Sequence, residues 1–348
     1  MALPLKELRK LLTKAARKAG AGKKAAKSLA EATMDAEACG QAAVGLSHFF
    51  DYLDSLQAGR IDGQAKPKLT KIRPALFHCD AKGGMAHPGV DKALPKLAKA
   101  AKKHGIAAFL QNNAYTCGSL GFHAVRLAEK GLIGLAFTNG PALIAGGGAV
   151  KPVYCTNPMA FAAPVKDQAP LLIDQSSSAT AFVNVRAAAN EGLAIPPGWA
   201  VDKDGKPTTD AKAAMEGALL AFGGARGGNV ALMVEVMAGG LASANWSLDA
   251  PSILEGNLNT GSGLTLIAID PDAVDKDFSK RLATQLNRLS DDYGVHIPGR
   301  AKAEARARAD VDGVALDLDL EKRLREAAGE KPAAPIVKPA RKQKDLKP

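Results

Sequence analysis

Among the six histidines, His48, His78, His87, His104, His123 and His296, only His48 stands in a setting that suggests chemistry: Gly45-Leu46-Ser47-His48, a helical stretch meeting a glycine, with a hydroxyl preceding the imidazole. An imidazole titrates near working pH, so in a cleft it can protonate an alkoxide or amine as hydride arrives, or take that proton back. Taken alone, a single histidine is more often a satisfied structural residue. No HExxH, no pair of histidines at helical spacing and no Asp/Glu/His cluster occurs, so no metal is expected. Cys117 and Cys155 lack a partner motif and read as small packing residues. The run Gly223-Gly224-Ala225-Arg226-Gly227-Gly228 precedes a long apolar stretch, a pattern that can hold a phosphate on backbone N–H groups and a guanidinium or can simply start a buried helix. Neither GxGxxG between a strand and a helix nor GxxxxGK[ST] is present, so a Rossmann or P-loop nucleotide site is not indicated.

The elements that must position these residues alternate in type. Leu5, Leu8, Leu11, Leu12 and Ala15 recur at helical spacing, and after the break at Gly20-Ala21-Gly22 a second helical stretch runs from Ala25 to Ala43. A short helix is expected from Tyr52 to Gly59, followed by extended linking segments marked by Pro67 and Pro74. The middle predicts helices near 89–104, 119–130 and 179–191, and strands at 106–111, 133–138 and 171–173. A long apolar helix at 227–242, a strand at 264–269 and a helix at 275–293 complete the body. The expected organisation is a helical region, 1–75, packing with 270–330, and a central α/β region, 76–269. A disordered basic tail, 331–348, follows.

Composition narrows the classes. The net charge is +11, yet the first 30 residues hold nine Lys/Arg against one Glu, and the last 18 hold six against one Asp. The body between them is therefore slightly acidic, and basic ends on such a body read as solvated surface, which makes a nucleic-acid partner unlikely. Aromatics at 5% argue the same way, since single-strand binding relies on stacking platforms. Four cysteines without CxxC spacing fit a reducing, cytoplasmic setting, and no run of 18 apolar residues or signal core suggests a membrane.

Read in order, the segments resemble the malate/L-lactate dehydrogenase family whose cofactor domain is not a Rossmann fold. The resemblance runs from about residue 25 to about 325. It is carried by Ser47-His48, YLDSLQAGRI from Tyr52, CGSLGFHAVRLAEKGLIGLAFTN from Cys117, CTNPMAFAAP from Cys155, LLIDQSSSATA from Leu171, IPPGWAVDKDGKPTTD from Ile195, AFGGARGGNVALMVEVMAG from Ala221 and HIPGR from His296. It implies a non-Rossmann α/β fold, a helical region from both chain ends with a central cofactor-binding sheet, and a homodimer with the site near the subunit interface. It implies hydride transfer between NADPH or NADH and C2 of a small carboxylate substrate: a 2-oxo acid, a cyclic imine carboxylate such as Δ1-pyrroline- or Δ1-piperideine-2-carboxylate, or, in reverse, a 2-hydroxy acid such as malate, lactate or sulfolactate.

In that resemblance His48 is the acid/base and Ser47 orients it. The cofactor site comprises Thr116, Cys117, Gly118, Ser119, Leu120, Thr156, Asp174, Gln175, Ser176, Ala225 and Arg226. Arg226, where relatives often carry Lys, favours a 2′-phosphate and hence NADPH. The sequence departs from the family pattern in three places. An Arg four residues after the His is missing, Tyr52 standing there; Thr116 replaces a His two residues before Gly118; and Asn184 replaces an Asp that completes the relay around the imidazole. Asn113, Thr116 and Arg186 are then the candidates for substrate recognition, a guanidinium being the stronger carboxylate anchor. A cofactor-binding relic without turnover is the alternative consistent with the lost Arg and His.

Overall fold

A computed structural model describes residues 2–330. The tail expected at 331–348 lies outside the described residues. The helix Leu5–Lys18 buries Leu8, Leu11, Leu12, Ala15 and Ala16, the one-face spacing seen in the sequence. It packs with Lys23–Ala38, whose buried face is two-thirds alanine (Ala25, Ala26, Ala30, Ala32, Ala36 and Ala38, beside Leu29, Thr33 and Met34) and so permits close approach. The chain ends meet here: Ala2–Leu3 pairs antiparallel with Val314–Ala315, and Leu8, Leu12, Ala309 and Leu324 share one core. Arg325 bonds Glu7 at 2.9 Å across that seam.

The central sheet has seven strands in the order Lys68–Arg73, Leu76–Asp80, Ile106–Ala114, Ser262–Ile269, Ile133–Thr138, Met159–Ala163, Leu171–Gln175. Only Leu76–Asp80 and Ile106–Ala114 run parallel; every other neighbouring pair is antiparallel. That pattern is unlike a doubly wound parallel sheet and accounts for the absence of a GxGxxG turn. The helices His87–His104 and Leu120–Ala128 cover one face through Leu94, Leu97 and Leu127 against Cys79, Phe109 and Leu266. On the other face Val234 and Ala238 lie against Phe137 and Ile267.

A second, five-stranded sheet is built from short strands in the order Pro207–Thr208, Ala200–Val201, Ala218–Leu220, Ile144–Ala145, Pro152–Tyr154. The helix Phe182–Glu191 packs on it through Val185.

Four sequence expectations change. The segment 67–75 is not a link but an edge strand, Lys68–Arg73, with the turn that pairs it antiparallel with Leu76–Asp80. The helix Phe278–Asp291 turns its Leu282, Leu286 and Leu289 toward Val165, Leu171 and Ile297, covering the far sheet edge instead of the N-terminal helices. The apolar stretch expected as one helix over 227–242 is the helix Ala225–Glu235 followed by a π turn, Val236–Gly240. The fourth bears on chemistry. The helix expected to run from Ala25 to Ala43 ends at Ala38, and one helix, Leu46–Gln57, replaces the short helix expected from Tyr52. His48 therefore lies in the first turn of a helix, not at a helix end.

Candidate active site

The helix carrying His48 is fixed at its start by a half-buried carboxylate. Glu37 accepts the Leu46 N–H at 2.5 Å. A helix N-terminus presents unsatisfied N–H groups and positive potential, so a carboxylate there is favourable. Burial nevertheless pushes the Glu37 carboxyl up, and the Leu46 bond only partly offsets it. Gly45 permits the contact, since a Cβ at that position would collide with Glu37 Oε1. Leu46, Phe49, Phe50, Leu53 and Leu56 face the core, which leaves His48 and Asp51 together on the opposite side. Arg323 of the C-terminal helix lies over the Phe50 ring at 3.9 Å and clamps the helix from outside.

His48 is held at both ring nitrogens. Nδ1 lies 3.1 Å from Asp51 Oδ2, one helical turn on, and Nε2 lies 2.8 Å from Thr116 Oγ1. Tyr52 donates its hydroxyl proton to the Thr116 carbonyl at 2.8 Å and accepts from the Thr116 hydroxyl at 2.8 Å. Arg186 reaches Asp51 Oδ2 at 3.5 Å. For Asp51, burial opposes ionisation, but the bonds and charges of His48 and Arg186 outweigh it and hold the carboxyl below its usual range. Burial pushes the Tyr52 hydroxyl well up, so it stays a neutral donor and acceptor.

The structure places the expected residues unevenly. Thr116 and Arg186 belong to the His48 constellation. Ser47 does not orient the imidazole: it is exposed, and Asp51 takes the Nδ1 position because the helix sets residues three apart on one face. Asn184 is not in the relay either; two residues from Arg186 on its helix, it faces another way and bonds Thr180 Oγ1 at 3.1 Å. Asn113, at φ +52°, donates to Asp80 Oδ1 at 3.1 Å and serves the turn after the strand Leu76–Asp80.

The expected cofactor segments converge through backbone bonds and the Asp174 carboxylate. Asp174 accepts the Gly121 N–H at 3.0 Å, tying the end of the strand Leu171–Gln175 to the start of the helix Leu120–Ala128. Lys302 approaches the same carboxylate oxygen at 3.7 Å. The Ser177 N–H donates to the Thr156 carbonyl at 2.8 Å, and the Phe222 N–H to the Ser177 carbonyl at 3.0 Å, which brings Thr156 and Ser176 beside the glycine run. There Gly223 and Gly224 have φ of +56° and +64° with open space where a Cβ would stand, and Ala225 and Arg226, both exposed, begin an 11-residue helix. Gly147 lies alongside, a Cβ on it falling 3.5 Å from the Ala225 Cα. Gln175 is exposed next to Ser176.

Within Thr116–Leu120 the side chains divide. Cys117 and Leu120 are packed in the central core, burial pushing the Cys117 thiol up to about 12, so only their backbone is available to a ligand. Ser119 is buried and donates to Gln41 Oε1 at 3.1 Å, so its hydroxyl is already committed. Gly118, at φ +66°, makes the turn between Thr116 and the helix.

Three features escaped the sequence reading. Asp51 and Tyr52 were signalled only by their spacing from His48, which counts once both lie on the same helix. The buried pair His87 and His123, ring centroids 5.9 Å apart, lies behind Tyr52. Glu235 is buried and receives Asn157 Nδ2 at 2.7 Å, Ser247 N at 2.6 Å and Ser247 Oγ at 2.7 Å, which locks the loop at Asn157 to the helix Ala225–Glu235.

The sequence and the fold are similar to those of known proteins. Residues 3–325 match the family described as malate/L-lactate dehydrogenase. A (2R)-3-sulfolactate dehydrogenase (NADP(+)) of Chromohalobacter salexigens is 32% identical over 298 residues, covering 85% of this chain and 89% of that protein. A Delta(1)-pyrroline-2-carboxylate/Delta(1)-piperideine-2-carboxylate reductase of Pseudomonas aeruginosa is 35% identical over 270 residues, 77% of this chain and 81% of that one. Among solved structures, delta1-piperideine-2-carboxylate reductase from Pseudomonas syringae pv. tomato superposes with a TM-score of 0.90 at 32% identity, covering 94% of this chain and 99% of that chain. Sulfolactate dehydrogenase from Methanocaldococcus jannaschii gives 0.85 at 27% identity, covering 95% and 98%. Sequence match, mixed sheet and fold likeness together show that the chain belongs to the malate/L-lactate dehydrogenase family and has its non-Rossmann α/β fold.

Proposed function

We propose that this chain transfers hydride between NADPH or NADH and C2 of a small 2-oxo acid or cyclic imine carboxylate, or runs the reverse oxidation, with His48 as the acid/base. The observation that carries the reading is the His48 imidazole held between the Asp51 carboxylate and the Thr116 hydroxyl, where the segment Thr116–Leu120 begins. Asp51 stabilises the imidazolium that must form and disappear in each turnover. Arg186 is only loosely engaged by Asp51, and its remaining N–H groups suit a substrate carboxylate, the task of the Arg missing after His48.

The cofactor fits the donor set. Gly223 and Gly224 leave room at a helix N-terminus, where backbone N–H groups favour a phosphate, and exposed Arg226 adds charge for a 2′-phosphate, which supports NADPH. Thr156, Gln175 and Ser176, with the backbone of Cys117–Leu120 and the free oxygen of Asp174, would hold the rest. When bound, the nicotinamide supplies the hydride; His48 moves the proton. Relatives named for sulfolactate and for cyclic imine carboxylates support both substrate classes.

The chain would work as a homodimer through an apolar surface formed by Leu232, Met233, Val236, Leu241 and Trp246, all more than 40% exposed. The free thiols Cys39, Cys79, Cys117 and Cys155 support a reducing, cytoplasmic setting, and no described helix is long and apolar enough to cross a membrane. The test is absorbance of reduced nicotinamide with pyruvate, oxaloacetate, sulfopyruvate, Δ1-pyrroline-2-carboxylate and Δ1-piperideine-2-carboxylate. Consumption of NADPH with at least one is expected. Cofactor binding with turnover on none would favour the relic.

A further inference from the structure

The hydrogen-bond arithmetic around His48 has two solutions, and they differ by one proton. The Thr116 carbonyl can only accept, so the Tyr52 hydroxyl proton is committed to it. Asp51, held ionised, accepts the proton on Nδ1 in either state of the ring. What remains is the pair Nε2 and Thr116 Oγ1, 2.8 Å apart, with Tyr52 Oη 2.8 Å beyond. If Nε2 is bare, the Thr116 hydroxyl donates to it. If Nε2 carries a proton, that proton goes to Thr116 Oγ1, and the Thr116 hydroxyl turns to donate to Tyr52 Oη.

We propose that Thr116 and Tyr52 form a hydroxyl switch that satisfies the His48 ring in both protonation states, with Tyr52 as a positioning residue serving the charged one. It rests on the acid/base reading of His48 for its purpose but not for its test. Only the charged state needs Tyr52 as an acceptor; without it the Thr116 proton would point at nothing in a site where Tyr52 is 2% exposed. The neutral state loses nothing at Nε2 when Tyr52 Oη is removed. A threonine suits this position because one rotatable hydroxyl both accepts and donates, whereas a histidine there would be fixed by its tautomer.

The charged and titratable groups facing His48 leave the distinction intact. Asp51 and Tyr52 come from its own helix, and Arg186 from Phe182–Glu191 touches it through Asp51. His87, from the helix His87–His104, lies behind the Tyr52 ring with centroids 5.7 Å apart, and burial keeps it neutral.

The test is NMR titration of the His48 ring carbon protons in the protein without cofactor or substrate, in wild type, Y52F, T116V, the double variant and T116S. Y52F should move the His48 midpoint down by about 0.5–1 pH unit, the loss of one net hydrogen bond to the charged state. In the T116V background Y52F should add no further shift, while T116S should keep the wild-type midpoint. A Y52F midpoint equal to wild type, or the same Y52F shift with and without Thr116, would overturn the switch. Failure of His48 as acid/base would show separately, as turnover surviving in H48Q.

Discussion

At the residue scale, the chemistry turns on partners that neighbouring letters do not advertise. His48 was legible as the candidate because of Ser47 beside it and the family resemblance around it, yet Ser47 is exposed and Asp51 is the residue on Nδ1. The sequence reading divided this region between a helix ending near Gly45 and another starting at Tyr52. With a helix boundary between them, His48 and Asp51 have no fixed relation; on one helix they are neighbours. His87 and His123 were equally opaque, since a histidine carries no sequence mark of burial. Burial, followed by the charges of His123 on His87 and of Arg126 on His123, pushes these imidazoles down to about 3 and about 4 from an ordinary 6.5. Both depressed values mean that the unfolded chain takes up protons the folded chain refuses below pH 6.5. Their contribution to stability is therefore whole above that pH and is lost as the pH falls toward 4. Urea midpoints measured from pH 7 to pH 4.5 should fall more steeply for wild type than for the H87Q/H123Q variant, by up to about two protons. Parallel slopes for the two would mean the pair is not held neutral.

At the element scale, periodicity located most helices and strands, because their apolar faces are regular. The strand Ile133–Thr138 and the helix Leu5–Lys18 follow their sequence signals closely. The boundary at Ala38 failed because alanine-rich sequence continues past the turn, and what ends the helix is the chain reversal that brings Glu37 to Leu46. The helix Ala225–Glu235 shows a different limit. Ala231 and Val234 are buried while Leu232 and Met233 are more than 40% exposed, so its apolar residues serve two faces. A homodimer would cover the second. Sedimentation should give twice the 36.0 kDa chain mass, and a charge at the exposed face, as in L232E/M233E, should shift the species toward the single chain. A wild-type protein sedimenting as a single chain at assay concentrations would contradict this.

At the scale of the whole molecule, the class of fold was legible and its topology was not. Alternating helix and strand signals indicated α/β, and the missing glycine fingerprint argued against a Rossmann fold. Nothing local announces that Ser262–Ile269 inserts between Ile106–Ala114 and Ile133–Thr138, pairing antiparallel with both across more than 120 residues of chain. That insertion decides the sheet, and the sheet decides where Thr116 emerges: just past the end of Ile106–Ala114, opposite the helix bearing His48. His48, from the N-terminal part of the sequence, and the expected nucleotide segments, from its middle, thus meet at one sheet end. The decisive measurement is single-turnover oxidation of bound NADPH, compared between wild type and H48Q on the best carboxylate substrate. The expected rate in H48Q is lower by about 10²–10⁴-fold, with NADPH affinity unchanged. Hydride transfer in H48Q within a few-fold of wild type would remove His48 from the mechanism.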